Sequence, residues 1–206
     1  MSAKIDPSAS TIGDKLLWAV DELEIEIPSW GFLNTGTRFK VWQQPGTPRT
    51  VEEKIDDCGT VRRYTGIAHT ISLHIPWDKT DDYTALLEYI NTKDMGVGAI
   101  NLNTFQDPDY MLGSMCHPDA EVRDKALAAL RECCEIADEM GSPAVKVWLG
   151  DGTNYPGQDD LRWRRNRLVE GCLLYTSPSP RDMIPDLVCR LRLERGGGGG
   201  GGGGGG

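Results

Sequence analysis

Residues 70–105 read TISLHIPWDKTDDYTALLEYINTKDMGVGAINLNTF, and the order of patterns within them decides the fold. TISLHIPW (70–77) carries β-branched and apolar residues and leaves through a proline, as a strand does. DKTDDYTALLEYINTKDMG (78–96) reads as a helix, and VGAINLNTF (97–105) as the next strand. The flanking chain repeats the unit. IEIPSW (25–30) is a strand, and TVEEKIDDCGTVRRYTG (50–66) is a helix with Thr50 and Glu53 in a capping box and Gly66 as its stop. Residues 117–141 form the clearest helix: Val122, Ala126, Ala129, Cys133, Ile136 and Met140 fall on one stripe. Pro118 lies in its first turn, and Gly141 and Pro143 close it. AVKVWLG (144–150) is a fourth strand, and residues 160–170 begin another helix.

Alternating strands and helices make a mainly parallel sheet. It is either an open doubly wound sheet or a (β/α)8 barrel. No GxGxxG or GxxxxGK[ST] follows a strand, so a phosphate-cradling nucleotide fold has no support. The distinctive side chains instead gather just past strand ends: Trp30, Asn34 and Arg38; His74, Trp77 and Asp78; Asn101, Asn103 and Thr104; Trp148, Asp151 and Asn154. In a barrel these positions all lie on the C-terminal rim, where active sites are built. The expected class is therefore α/β, a (β/α)8 TIM barrel. Such a barrel takes roughly 250 residues, so the chain is expected to hold about the first four βα units.

The barrel pattern stops near Gly171. Residues 172–182 back-translate without strain to the transposase adapter of short-read sequencing libraries, and residues 186–194 to its outer end, with Arg192 as a one-base error. Residues 183–185 have the length of a sample index, and the glycines from 196 onward fit GGG codons emitted after signal is lost. The expected division is 1–171 as the N-terminal part of a barrel and 172–206 as a non-native, disordered tail. The plainer alternative is a genuine low-complexity terminus. A half-barrel exposes an unpaired edge and apolar surface, so the isolated chain is expected to be poorly soluble or molten.

The net charge is −9, and setting aside the four arginines and three acidic residues of 172–206 makes it −10. That charge argues against nucleic acid and anionic membranes as partners, since both reward basic patches. It suits a soluble enzyme acting on small neutral molecules. No apolar run is long enough to span a bilayer, and MSAKIDPSASTIGDK at the start lacks the apolar core of a secretory signal. The expected location is cytoplasmic, where Cys58, Cys116, Cys133 and Cys134 are reduced thiols matching no zinc or redox spacing.

Three constellations bear on chemistry. In SLHIPWD, His74 near a strand end can hydrogen-bond a hydroxyl or ring oxygen, with Trp77 as an apolar wall; a satisfied core histidine is the plainer alternative. In VWLGDGTNYPGQ, Trp148 ends a strand before a polar loop of the kind that carries function. Asp151 there reads first as a turn former. In AINLNTF, Asn101 and Asn103 share a strand face by alternation and suit hydroxyl recognition, or else they cap the next loop. His69 precedes its strand at the opposite end, and His117 reads as a helix cap. No His, Asp and Glu set has metal-ligand spacing, and no GxSxG elbow is present.

The blocks IPSWGFLNTGTRF, EEKIDDCG, SLHIPWDK, NTFQD and VWLGDGTNYPGQ, in matching order over residues 25–158, resemble the rhamnose isomerase-type sugar isomerases of the xylose isomerase-like barrel superfamily. The resemblance implies interconversion of an aldose and a ketose, with a deoxyhexose such as rhamnose as the monosaccharide substrate. It implies two divalent metals, typically manganese, that stabilise charge as hydrogen moves between the first two carbons. It implies His74 as the sugar-contacting histidine associated with ring opening. Trp77 and Trp148 become walls of the sugar pocket, and Asn103 and Asp151 become rim residues near it. The family's metal ligands lie on later strands, past Gly171, so this chain is expected to hold none and to be inactive alone. The full-length protein is expected to be a homo-oligomer. A sugar epimerase or a zinc-dependent nuclease of the same superfamily, or a non-catalytic carbohydrate-binding barrel, are the rival readings; the acidic charge speaks against the nuclease.

Overall fold

The computed structural model describes residues 11–36, 40–150 and 159–176. Four strands, β1 (Ile25–Pro28), β2 (Ala68–Ile75), β3 (Gly96–Leu102) and β4 (Val145–Val147), form one sheet in the order β1-β2-β3-β4. Every neighbouring pair is parallel. The connections carry α2 (Val51–Thr65), α3 (Tyr83–Asn91) and α4 (Ala120–Glu139); α1 (Ile12–Asp21) precedes the sheet and α5 (Leu161–Thr176) follows it. This is a parallel half-barrel of four strands, consistent with the partial barrel expected from the strand and helix alternation.

Local signals explain most boundaries. Thr50 caps α2 by accepting the Glu53 N–H at 3.3 Å, while the Glu53 carboxylate takes the Arg49 N–H at 2.6 Å. The reciprocal arm of the capping box thus lands one residue earlier than expected. Gly66 ends α2 in the left-handed conformation, φ 73°, which a side chain would strain. α3 is shorter than its sequence pattern: Asp82 caps it by accepting the Ala85 N–H at 2.8 Å, and Gly96 already belongs to β3. The Thr11–Asp14 capping box starts α1, an element absent from the sequence reading. α5 runs on to Thr176, across the boundary expected at Gly171. The rest of the expected tail lies outside the described residues. No helix among the described residues is long and apolar enough to cross a membrane.

The core lies between the sheet and its helices. Ile71, Leu73 and Ile75 of β2 and Ile100 and Leu102 of β3 meet Ile55 and Cys58 of α2, Leu86 and Ile90 of α3, and Cys133, Ile136 and Met140 of α4. All are buried, as expected for parallel strands covered on the helix side. The α4 stripe is buried as its periodicity requires, with Val122 and Ala129 partly buried at its margin. Burial holds the Cys58 and Cys134 thiols up at about 11 and Cys133 at about 12, so all three stay protonated.

Alternation sends the intervening side chains to the concave face. Registry aligns His74 with Asn101 and Asn101 with Lys146, so one polar row crosses β2, β3 and β4. Deeper on that face the β2–β3 register slips between Ile71 and Leu73. Such a slip frees a backbone N–H. The Glu26 carboxylate accepts the Ala99 N–H at 2.6 Å and pairs with Lys146 at 2.6 Å. Gly98 makes this reach possible, because a Cβ there would overlap the Glu26 carboxylate.

Candidate functional site

A buried carboxylate organises the C-terminal rim. Asp78, 1% exposed, follows β2 by three residues. Its Oδ1 accepts the Lys54 ammonium at 2.5 Å. Its Oδ2 accepts the Ser29 hydroxyl and, at 2.7 Å, the His74 N–H. Lys54 itself is 4% exposed and lies on the α2 face shared by Val51, Ile55 and Cys58. Charges this deep survive only when paired and hydrogen-bonded. Asp78 meets that condition with donors from α2, from the end of β1 and from β2.

Beside this carboxylate the rim opens into a cavity of about 520 Å³ lined by Trp30, His74, Trp77, Phe105 and Trp148, and also by Asn101 and Lys146. The His74 imidazole stacks on Trp77, centroids 3.7 Å apart and planes 16° from parallel. Trp30 meets His74 edge-on at 5.3 Å, and Phe105 meets Trp148 edge-on at 4.9 Å. The Trp77 indole N–H donates to the Gln106 Oε1 at 2.8 Å, and the Thr104 hydroxyl holds the Trp148 carbonyl at 2.8 Å. Trp148 is 66% exposed. Aromatic walls around a few polar groups suit a small molecule with an apolar face and a hydroxylated edge.

His74 is the polar centre of the cavity. It is 5% exposed, and its Nδ1 is buried without a hydrogen-bond partner among the described residues. Burial holds its pKa below the ordinary 6.5; Asp78 pushes it upward and Lys54 opposes that. The imidazole is therefore neutral near pH 7. The sign of its effect on stability follows. Between the lowered native value and 6.5, the unfolded chain binds more protons, so stability rises with pH across that window and falls on acidification. In the longer protein read from the source DNA across codon 171, the urea midpoint is expected to drop between pH 7 and pH 5. His74→Phe, which keeps a ring on Trp77 but cannot titrate, flattens that part of the profile. Asp56, Asp107 and Asp159, lowered from 3.8, act only in more acidic solution.

The structure brings His74, Trp77 and Trp148 to one cavity. Asn103 is placed differently. It follows β3 by one residue, and its Oδ1 accepts the Phe105 and Gln106 N–H groups, both at 3.1 Å. Its Nδ2 donates to the Gln106 Oε1 at 2.8 Å, the same oxygen that holds Trp77. Asn103 thus caps the loop, and of the two amides only Asn101 lines the cavity, its Nδ2 donating to the Leu73 carbonyl at 3.1 Å. The expected shared face fails because Asn103 lies past the strand. Asp151, Arg38 and Asn154 fall outside the described residues. His69 accepts the Ile25 N–H at 3.0 Å near the start of β2, and His117 accepts the Asp119 N–H at 2.9 Å at the start of α4. Among the described residues no group of three or more His, Cys, Asp or Glu is placed to hold a metal ion. Phe105, Lys146 and Lys54 escaped the sequence reading. Lys146 had a signal, a lone lysine between two valines; so did Lys54, a lysine on a buried helical stripe.

No family model matches the sequence. The chain is 37% identical over 163 residues to a probable sugar isomerase of Rhizobium meliloti (strain 1021), matching 77% of this chain and 38% of that protein. It is 41% identical over 174 residues to a probable sugar isomerase of Mesorhizobium japonicum, matching 82% of this chain and 40% of that protein. The chain therefore spans about two fifths of the length of these curated relatives. Among solved structures it is similar to an L-ribulose 3-epimerase, with a TM-score of 0.53, 16% identity, and coverage of 80% of this chain and 46% of the other. That likeness establishes the fold, a parallel α/β half-barrel.

Proposed function

We propose that this chain is the N-terminal half-barrel of a xylose isomerase-like sugar isomerase that interconverts an aldose and a ketose of the rhamnose and rhamnulose type. The observation that carries the reading is the aromatic rim cavity around a buried His74 whose Nδ1 has no hydrogen-bond partner among the described residues. The two relatives named probable sugar isomerases support the same class. In this reading Trp77, Phe105 and Trp148 pack against the C–H face of a monosaccharide, and His74 hydrogen-bonds its ring oxygen or a hydroxyl while the ring opens. Asn103 acts through Gln106 to hold Trp77, and Asp151 belongs to the rim loop. A divalent ion, manganese by the family resemblance, would polarise neighbouring sugar oxygens. Among the described residues no His, Cys, Asp and Glu group fits such an ion; by the resemblance its ligands lie past Gly171, so the share proposed for this chain is to bind and orient the sugar, inactive alone. The complete protein is a cytoplasmic homo-oligomer in this reading. The L-ribulose 3-epimerase likeness favours a second reading, epimerisation at a sugar carbon by the same kind of barrel.

Titration of the chain with L-rhamnose, followed by tryptophan fluorescence, tests the binding claim. Trp77→Ala is expected to weaken binding about tenfold or more, since it removes the stacked wall. Equal affinity in parent and variant rejects the cavity as the sugar site. Product analysis with added manganese, on this chain and on the longer protein read from the source DNA across codon 171, separates the chemistries. Ketose formation supports the isomerase, and a C3 epimer supports the alternative. Turnover by this chain alone refutes its proposed inactivity.

A further inference from the structure

Asp78 does more than neutralise Lys54. Each of its other two bonds ends beside a wall of the cavity. Ser29, which donates to Oδ2, immediately precedes Trp30, and Trp30 meets His74 edge-on. His74 donates its own backbone N–H to the same oxygen, and its ring stacks on Trp77, the residue just before Asp78. Lys54 anchors the opposite oxygen from α2, so the carboxylate cannot rotate without breaking a buried ion pair. Three rings from two separate segments are thereby set relative to one carboxylate. An apolar pair of similar volume can replace a buried ion pair at little cost in stability. It cannot direct three hydrogen bonds.

We propose that Asp78, held by Lys54, is the positioning residue that sets Trp30, His74 and Trp77 in register as a preformed binding surface. The inference rests on the reading of this cavity as a sugar site, but the ring geometry is measurable without sugar. Preformed geometry matters because ordering several side chains during binding lowers affinity.

Two double variants, made in the longer protein read from the source DNA across codon 171 because the half-barrel alone is expected to be molten, separate positioning from folding. Lys54→Met with Asp78→Leu removes both charges and all three bonds. Lys54→Met with Asp78→Asn removes the charges but keeps an oxygen that accepts the His74 N–H. Urea unfolding reports the fold, NMR contacts between the His74 and Trp77 rings and the indole N–H resonances report the surface, and L-rhamnose titration reports function. The expected result is a retained unfolding transition in both. The leucine variant loses the ring contacts and binds the sugar about tenfold more weakly, and the asparagine variant restores both. Ring contacts that persist in the leucine variant overturn the proposal, whatever the sugar does. Lost ring contacts in a chain whose parent never binds rhamnose support the positioning role and refute the sugar reading. Ser29→Ala keeps the ion pair and provides the test should the leucine variant not fold. It is expected to shift the Trp30 indole resonance while the His74–Trp77 contacts stay; an unmoved Trp30 overturns the proposal.

Discussion

Asp78→Ala is expected to lower the free energy of unfolding by about 3–5 kcal/mol, the cost of breaking a buried ion pair from one side. The substitution leaves the Lys54 ammonium, whose side chain is 5% exposed, without its carboxylate. It also strips the acceptor from the Ser29 hydroxyl and the His74 N–H. None of these groups has water as an easy substitute, because α2, the β1 exit and the β2 exit close over them. Urea unfolding at pH 7 measures the loss, on the longer protein read across codon 171 and on its variant, since the half-barrel alone is expected to be molten. A change below about 1 kcal/mol, the range of an exposed pair, would mean that solvent reaches Lys54 and that the site is not closed as described. The apolar double variant should lie well above Asp78→Ala in stability, so that the two together distinguish a penalty for an orphaned charge from a contribution of the pair itself.

Leu73→Ala is expected to cost about 2–5 kcal/mol. Leu73 is fully buried at the middle of β2, registered against Ile100 of β3. It lies in the layer where α2, α3 and α4 cover the sheet. Deleting its side chain removes transfer energy and leaves a void that strands held in a ladder cannot easily fill. The effect should appear as a lower urea midpoint. An unchanged slope with respect to denaturant would show that the same surface is exposed on unfolding. A loss under about 1 kcal/mol would contradict the packing of this layer. Asp78 accepts the N–H of His74, in the peptide bond that joins Leu73 to His74, so the effects of the two substitutions are expected to couple rather than add.

Much of the fold was legible because its causes are local. The stripe from Val122 to Met140 set α4, and Gly66 ended α2. The β-branched run in β2, with Pro76 at its exit, marked a strand. The error in α3 has an equally local cause, since Asp82, rather than any earlier residue, supplies the cap. α1 went unread although Thr11 and Asp14 form its capping box. The cavity was partly legible: His74, Trp77 and Trp148 each stand at or just past a strand end, and parallel strands bring such positions together. The part played by Asn103 was not. An asparagine past a strand reads equally as ligand or loop cap, and only the N–H groups of Phe105 and Gln106 turned toward its Oδ1 decide between them.

The sequence by itself determined the alternation of strand and helix, the buried stripes, the acidic charge and the clustering of aromatic and polar residues after strand ends. These are properties of residue type and of spacing within a few positions. Only the tertiary structure decided that Asp78 joins Lys54, 24 positions away, to Ser29, 49 positions away, and that this carboxylate adjoins three rings of one cavity. It also decided that Glu26 reaches across Gly98 to Lys146, 120 positions along the chain. The physical reason is that a buried polar group takes whatever donor packing brings within about 3 Å. Which donor that is depends on strand order, register and helix rotation together, and not on any stretch of sequence read alone.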